Sequence, residues 1–287
     1  MPPLPPLPPS FIEPADVAQL VAGSLTMNFV DEPRGVAGGP AVVFHHGMGG
    51  DLSQPLGLLP ALRTGRLIAP DARGHGASSP LASVADARFD LLADDVIRLA
   101  DQLGLERFVA AGISLGAGVS LNLALRYPAR IKALILARPA WLDAPMEPWK
   151  QQLFAAIAEL LESHDHDTAA SLLSAREDFQ ALAAQFPATG ASLLGQLTRP
   201  QARQSTAVLK GFPATAPSSD SGAWRKIAAP TLVIAHHDDP LHPYEMGAEY
   251  ARVIPGARFV EIESKERDPA AFAAGFGEAV QDFLGRL

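Results

Sequence analysis

Short apolar runs alternate along this chain with stretches in which apolar residues recur every three or four positions. Six runs show the first pattern, at 41–44, 66–71, 108–112, 131–136, 231–234 and 258–262. Most are continuously apolar, as expected of strands buried on both faces of a parallel sheet. Helical stripes lie between them. Leu92, Val96, Leu99 and Leu103 share one helix face, and Phe272, Phe276, Val280 and Phe283 share another. Strand and helix in alternation predict an α/β fold with right-handed crossovers. The alternation stops over 141–226, which reads as helical. Trp149, Leu153, Ile157 and Leu160 form one stripe there, and Leu172, Phe179, Leu182 and Phe186 suggest another. A loop rich in Pro, Ser, Thr and Gly follows at 213–221. The expected organisation is a core made of 11–140 and 227–287, a helical lid inserted at 141–226, and a disordered Pro-rich tail at 1–10.

Composition narrows the function classes. With 48% hydrophobic and 19% charged residues, the 287-residue chain has apolar material for a sizeable core. A formal net charge of −8 repels phosphate backbones, so no nucleic-acid partner is expected. The absence of cysteine excludes disulfides, a thiol nucleophile and thiolate metal sites, and it fits a reducing, cytoplasmic location. No apolar run reaches the roughly 18 residues of a membrane span, so no membrane partner is expected. Residues 1–10 lack the basic start and apolar stretch of a signal peptide.

Four segments carry candidate chemistry. Gly112-Ile113-Ser114-Leu115-Gly116 follows an apolar strand and opens a helix, the context in which a serine sits on a sharp turn above the sheet. His46-Gly47-Met48-Gly49-Gly50 follows an earlier strand, and its backbone can aim an N–H at the same point as the N–H of Leu115. His45 and His46 read as braces for that loop. The turn from Asp71 to Ser78 reads as structural, with Asp71 and Arg73 free to pair or to bond loop backbone. The strand at 231–234 ends in His236-His237-Asp238-Asp239-Pro240, where a carboxylate can orient a histidine.

In this order the motifs resemble the α/β-hydrolase superfamily, from about residue 41 to the end of the chain apart from the insert. The resemblance implies a mainly parallel sheet of about eight strands with flanking helices. It implies that Ser114 is the nucleophile, that the amides of Met48 and Leu115 form the oxyanion hole, and that Asp239, just before Pro240, is the acid. It implies no cofactor and no metal.

One expected residue is missing. The superfamily places its histidine after the last strand, yet the loop at 263–269 has none, and no histidine follows His242. A serine needs a base at neutral pH. Three replacements are open: His242, three residues after Asp239; Lys265, in the loop where the histidine would stand; or a residue of the insert's His164-Asp165-His166-Asp167 cluster. His242 has the better chemistry, with an unperturbed pKa near 6.5. The expected function is hydrolysis of a small, largely apolar ester, lactone or related carbonyl substrate. The alternative is a non-hydrolytic ligand-binding or signalling protein on the same scaffold.

Overall fold

The structure is a computed structural model that describes residues 17–199 and 202–287. The Pro-rich segment at 1–10 lies outside the described residues. The framework is one eight-stranded sheet with the order β1-β2-β4-β3-β5-β6-β7-β8. It begins with an antiparallel pair, β1 (Val17–Ala22) and β2 (Leu25–Pro33), and β2 then runs antiparallel to β4 (Arg66–Pro70). From β4 onward the pairing is parallel, through β3 (Ala41–His45), β5 (Phe108–Ile113), β6 (Ile131–Ala137), β7 (Thr231–Ala235) and β8 (Arg258–Glu261). The six apolar runs therefore are the six parallel strands.

The sheet divides the core in two. Alternate residues of β5 and β6 face opposite sides: Ala110, Leu134 and Leu136 join one cluster, and Val109, Ala133 and Ile135 join the other. The first cluster is filled by α2 (Phe89–Gln102), α3 (Leu115–Arg126) and α9 (Tyr244–Val253), the second by α1 (Ser53–Leu58) and α10 (Pro269–Leu284). The stripes read at Leu92 to Leu99 and at Phe272 to Phe283 are the buried faces of α2 and α10.

Five helices lie between β6 and β7: α4 (Pro148–Ser163), α5 (His166–Ser174), α6 (Glu177–Gln185), α7 (Pro187–Thr198) and α8 (Thr206–Gly211). Two details differ from the sequence reading. The second stripe is split between α5 and α6, and Leu172 is 41% exposed. In α4 the buried face is Leu153, Phe154, Ile157, Ala158 and Leu161, while Trp149 is 42% exposed. Helix α4 packs against both α5 and α8, so its covered face is wider and rotated from the predicted stripe.

Candidate functional site

All six residues of β5 are buried, and the chain leaves that strand directly into Ser114 and α3. Ser114 has φ 56° and ψ −114°, a region costly for a residue with a side chain. Its own N–H still bonds Ala137 O at 2.9 Å, which ties the turn to β6. The turn closes only because its neighbours lack side chains. A Cβ on Gly116 would collide with the backbone carbonyl of His45, and one on Gly112 with the backbone of Gly116.

Across the strand ends lies the segment after β7. His242 Nε2 stands 2.8 Å from Ser114 Oγ, and His242 Nδ1 stands 3.0 Å from each Asp239 oxygen. Asp239 is buried, and its Oδ1 also accepts from the amides of Leu241 (3.2 Å) and His242 (3.1 Å). A tight turn thus lets an acid and a histidine three residues apart face the same serine. Of the three open replacements for the missing histidine, the structure brings His242 to Ser114. Lys265 lines the same cavity but makes no hydrogen bond to the serine. The 164–167 cluster is elsewhere: Asp165 caps α5 by accepting from Thr168 N at 2.9 Å, and the His166 ring bonds Leu197 O. Among the described residues no group of three or more His, Asp or Glu is arranged to hold a metal.

Sequence reading missed Arg138. It follows β6 with φ 45°, and its Nε and Nη2 donate to Asp239 Oδ2 at 2.9 and 2.5 Å. The available signal was a charged residue closing an apolar strand, here the one that pairs with β5. Burial alone would raise the Asp239 pKa, yet the adjoining Arg138 and His242 hold it well below the usual carboxylate range. An ionised carboxylate only accepts, so His242 Nδ1 carries the proton and donates it to Asp239. Nε2 is then left bare to accept from the serine hydroxyl. Arg138 Nη2 is also 3.1 Å from Nδ1, where a guanidinium cannot accept and acts as a nearby positive charge. Burial, followed by the charge of Arg138 against the pull of Asp239, lowers the His242 pKa to about 4.

The loop after β3 is braced as expected. His46 Nδ1 donates to Gly47 O (2.8 Å), while its Nε2 accepts from Ala72 N (3.0 Å). His75 Nε2 accepts from Gly49 N at 3.0 Å. His45 differs: both its ring nitrogens are buried without a partner. The amides of Gly47 and Gly49 are thus committed, Gly47 N donating to Gln54 Oε1 at 2.7 Å. Among the described residues those of Met48 and Leu115 have no protein acceptor. Asp71 bonds backbone, accepting from Leu52 N (2.7 Å) and Ala77 N (3.2 Å). Arg73 pairs instead with Asp95, so Asp71 and Arg73 do not meet.

Ser114 and His242 open on a cavity of about 70 Å³. Helix α7 supplies Ala188, Thr189 and Ser192 to its wall, so the insert covers the strand ends. Arg138, Lys265, Glu266 and Gln54 make most of the remaining wall polar. This mostly polar wall departs from the largely apolar substrate expected from the sequence. Leu153, Phe154, Ile157, Phe179 and Leu193 of the insert are buried in the core cluster instead.

Comparison with known proteins fits this architecture. Residues 40–268 match the family model described as the alpha/beta hydrolase fold, and the chain belongs to that family. RutD of Agrobacterium fabrum, a protein named for carbamate hydrolysis, is 29% identical over 237 residues, covering 80% of this chain and 86% of that protein. An acetyltransferase component of the acetoin cleaving system of Pseudomonas putida is 38% identical over 125 residues, covering 43% of this chain and only 33% of that relative. A hydrolase structure from Pseudomonas aeruginosa has a TM-score of 0.69 at 28% identity, covering 94% of this chain and 99% of that one. The enol-lactonase structure from Burkholderia xenovorans has a TM-score of 0.74 at 23% identity, covering 93% and 100%, and shares the fold.

Proposed function

We propose that this chain is a serine hydrolase acting through an acyl-enzyme at Ser114 on a small ester, lactone or related carbonyl compound. The observation that carries this reading is the 2.8 Å approach of His242 Nε2 to the Ser114 hydroxyl, with Asp239 on the other ring nitrogen. Ser114 Oγ attacks the carbonyl carbon as its proton passes to His242 Nε2. Asp239 fixes the ring tautomer and stabilises the imidazolium. The amides of Met48 and Leu115 hold the oxyanion, each donor of this kind contributing about 2.7–4 kcal/mol to the barrier reduction. His242 then protonates the leaving oxygen. A water then attacks the acyl carbon as His242 takes its proton, and the acid leaves as His242 returns that proton to Ser114 Oγ. The five-helix insert acts as the lid. Relatives named for carbamate hydrolysis and for an enol-lactonase support a small carbonyl substrate. The cavity of about 70 Å³ supports a short acyl group.

The test is hydrolysis of short p-nitrophenyl esters together with labelling by a serine-reactive phosphonate and intact mass measurement. One adduct on Ser114 is expected. Ser114→Ala and His242→Ala should each lose roughly a thousandfold or more in kcat. Full activity in His242→Ala would remove it as the base. Wild-type protein with neither turnover nor adduct would move the chain to the non-hydrolytic alternative.

A further inference from the structure

The wall of the Ser114 cavity holds four charged side chains besides the histidines: Arg138, Asp239, Lys265 and Glu266. Three of them are fully engaged. Arg138 and Asp239 hold each other. Both Glu266 oxygens face the first turn of α7, accepting from Ala188 N (2.6 Å), Thr189 N (2.7 Å) and Thr189 Oγ1 (2.7 Å). Lys265 is different. Among the described residues its ammonium has neither an ion-pair partner nor a hydrogen-bond acceptor, although the side chain lines the cavity beside the serine. Burial and the neighbouring Arg138 disfavour its charge, and Asp239 and Glu266 favour it. Lys265 is partly exposed, so its ammonium faces the cavity as a free donor, and a bound carboxylate supplies a charge-assisted acceptor there.

We propose that Lys265 is a specificity-determining residue that binds a carboxylate on the substrate, so that the preferred substrates are short acyl esters or lactones bearing a second, anionic carboxylate. This rests on the serine-hydrolase reading above and adds the substrate class. The loop after β8 holds no histidine, and His242 after β7 stands against Ser114 instead. The loop's cavity-lining position is then available to recognise the substrate.

The experiment compares two p-nitrophenyl esters of matched length, the hemisuccinate, with a terminal carboxylate, and the butyrate, without one. Wild-type protein should favour the hemisuccinate in kcat/KM. In Lys265→Met that preference should fall roughly ten- to hundredfold, the effect of one charge-assisted hydrogen bond, and mainly through KM. Lys265→Arg, which keeps the cation, should restore part of it. Equal losses on both esters in Lys265→Met, or no wild-type preference, would overturn the assignment while leaving the hydrolase intact. Calorimetric titration with succinate reads the subsite without turnover. Binding to wild type that Lys265→Met loses supports the proposal even if neither ester is hydrolysed, and equal heats from the two proteins overturn it.

Discussion

Among the described residues three with side chains have positive φ, and they sit at the same end of three neighbouring strands: Ser114 after β5 (56°), Arg138 after β6 (45°) and Asp238 after β7 (60°). Such backbone costs of order 1–3 kcal/mol per residue and persists where surrounding structure fixes it. Here the first strained turn carries Ser114, the proposed nucleophile. The second directs the guanidinium that holds Asp239, and the third precedes Asp239 itself, with Asp238 paired to Arg267 at 2.7 Å. That Ser114 and Asp239 share one site was legible from motif and strand order. Arg138 was visible as a charge closing an apolar strand, but nothing in the sequence ties it to an acid 101 residues away. Its charge makes a testable difference to the base. A general base works when unprotonated, so activity is held above its pKa and lost as pH falls through it. With His242 lowered to about 4, kcat/KM should hold through pH 5 and decline near pH 4. Arg138→Gln removes a cation that lowers this pKa and leaves the Asp239 charge less compensated, so the acid limb should move upward, toward the ordinary value near 6.5. A pH profile of kcat/KM on one ester reads this directly, and an unmoved limb would show that Arg138 has no electrostatic role at the base.

Strands buried on both faces were readable from apolar content alone, and β3 to β7 follow from it. The buried faces of α2 and α10 follow from their 3.6-residue period. The edge strand β8 is only half covered and was read from the apolar pair Phe259 and Val260. The antiparallel pair β1 and β2 escaped that reading. Strand β1 is an edge whose Val17 and Val21 are 43% and 68% exposed, and β2 carries Asp31 and Glu32 on a partly covered end. The insert was legible as helical, but its α5–α6 break was not, since that junction contains neither Gly nor Pro. Nor does any sequence pattern show that the loop after β8 caps a helix of the insert. Glu266 is the link, and its carboxylate satisfies amides that the first turn of α7 leaves without intrahelical partners. Glu266→Ala should therefore loosen α7 locally, by about 0.5–2 kcal/mol on the scale of lost helix caps. Hydrogen exchange should accelerate over 187–198 and hold steady in β5 and β6. Unchanged exchange across α7 would mean that the helix is held by its apolar face alone.

At the scale of the whole molecule, the fold encloses several imidazoles in their neutral form. Burial lowers His45 to about 3, His46 to about 4 and His242 to about 4, and holds His75 well below its ordinary value. The loop beside Ser114 depends on two of these rings as acceptors, at Ala72 N and Gly49 N, and protonation would abolish both bonds. In the unfolded chain all four titrate near 6.5. Below that pH the unfolded state binds protons that the folded state refuses, so stability present above about 6.5 is lost as pH falls toward about 4. Asp71 works the other way. Burial raises it to about 6, so between 6 and its ordinary value the folded state takes up its proton first and gains relative stability on acidification. Asp239, held well below the usual range, adds its loss only at more acidic pH. His236 is lowered as well, chiefly by burial, so in the window from 6.5 to 4.5 five depressed histidines oppose one raised carboxyl, and the histidines prevail. Urea unfolding should show a midpoint clearly lower at pH 4.5 than at pH 7 with a similar slope. His75→Gln, which removes one of these titrations, should narrow that difference even if it lowers stability at pH 7. A midpoint at pH 4.5 equal to or above that at pH 7 would mean that these rings accept protons without unfolding.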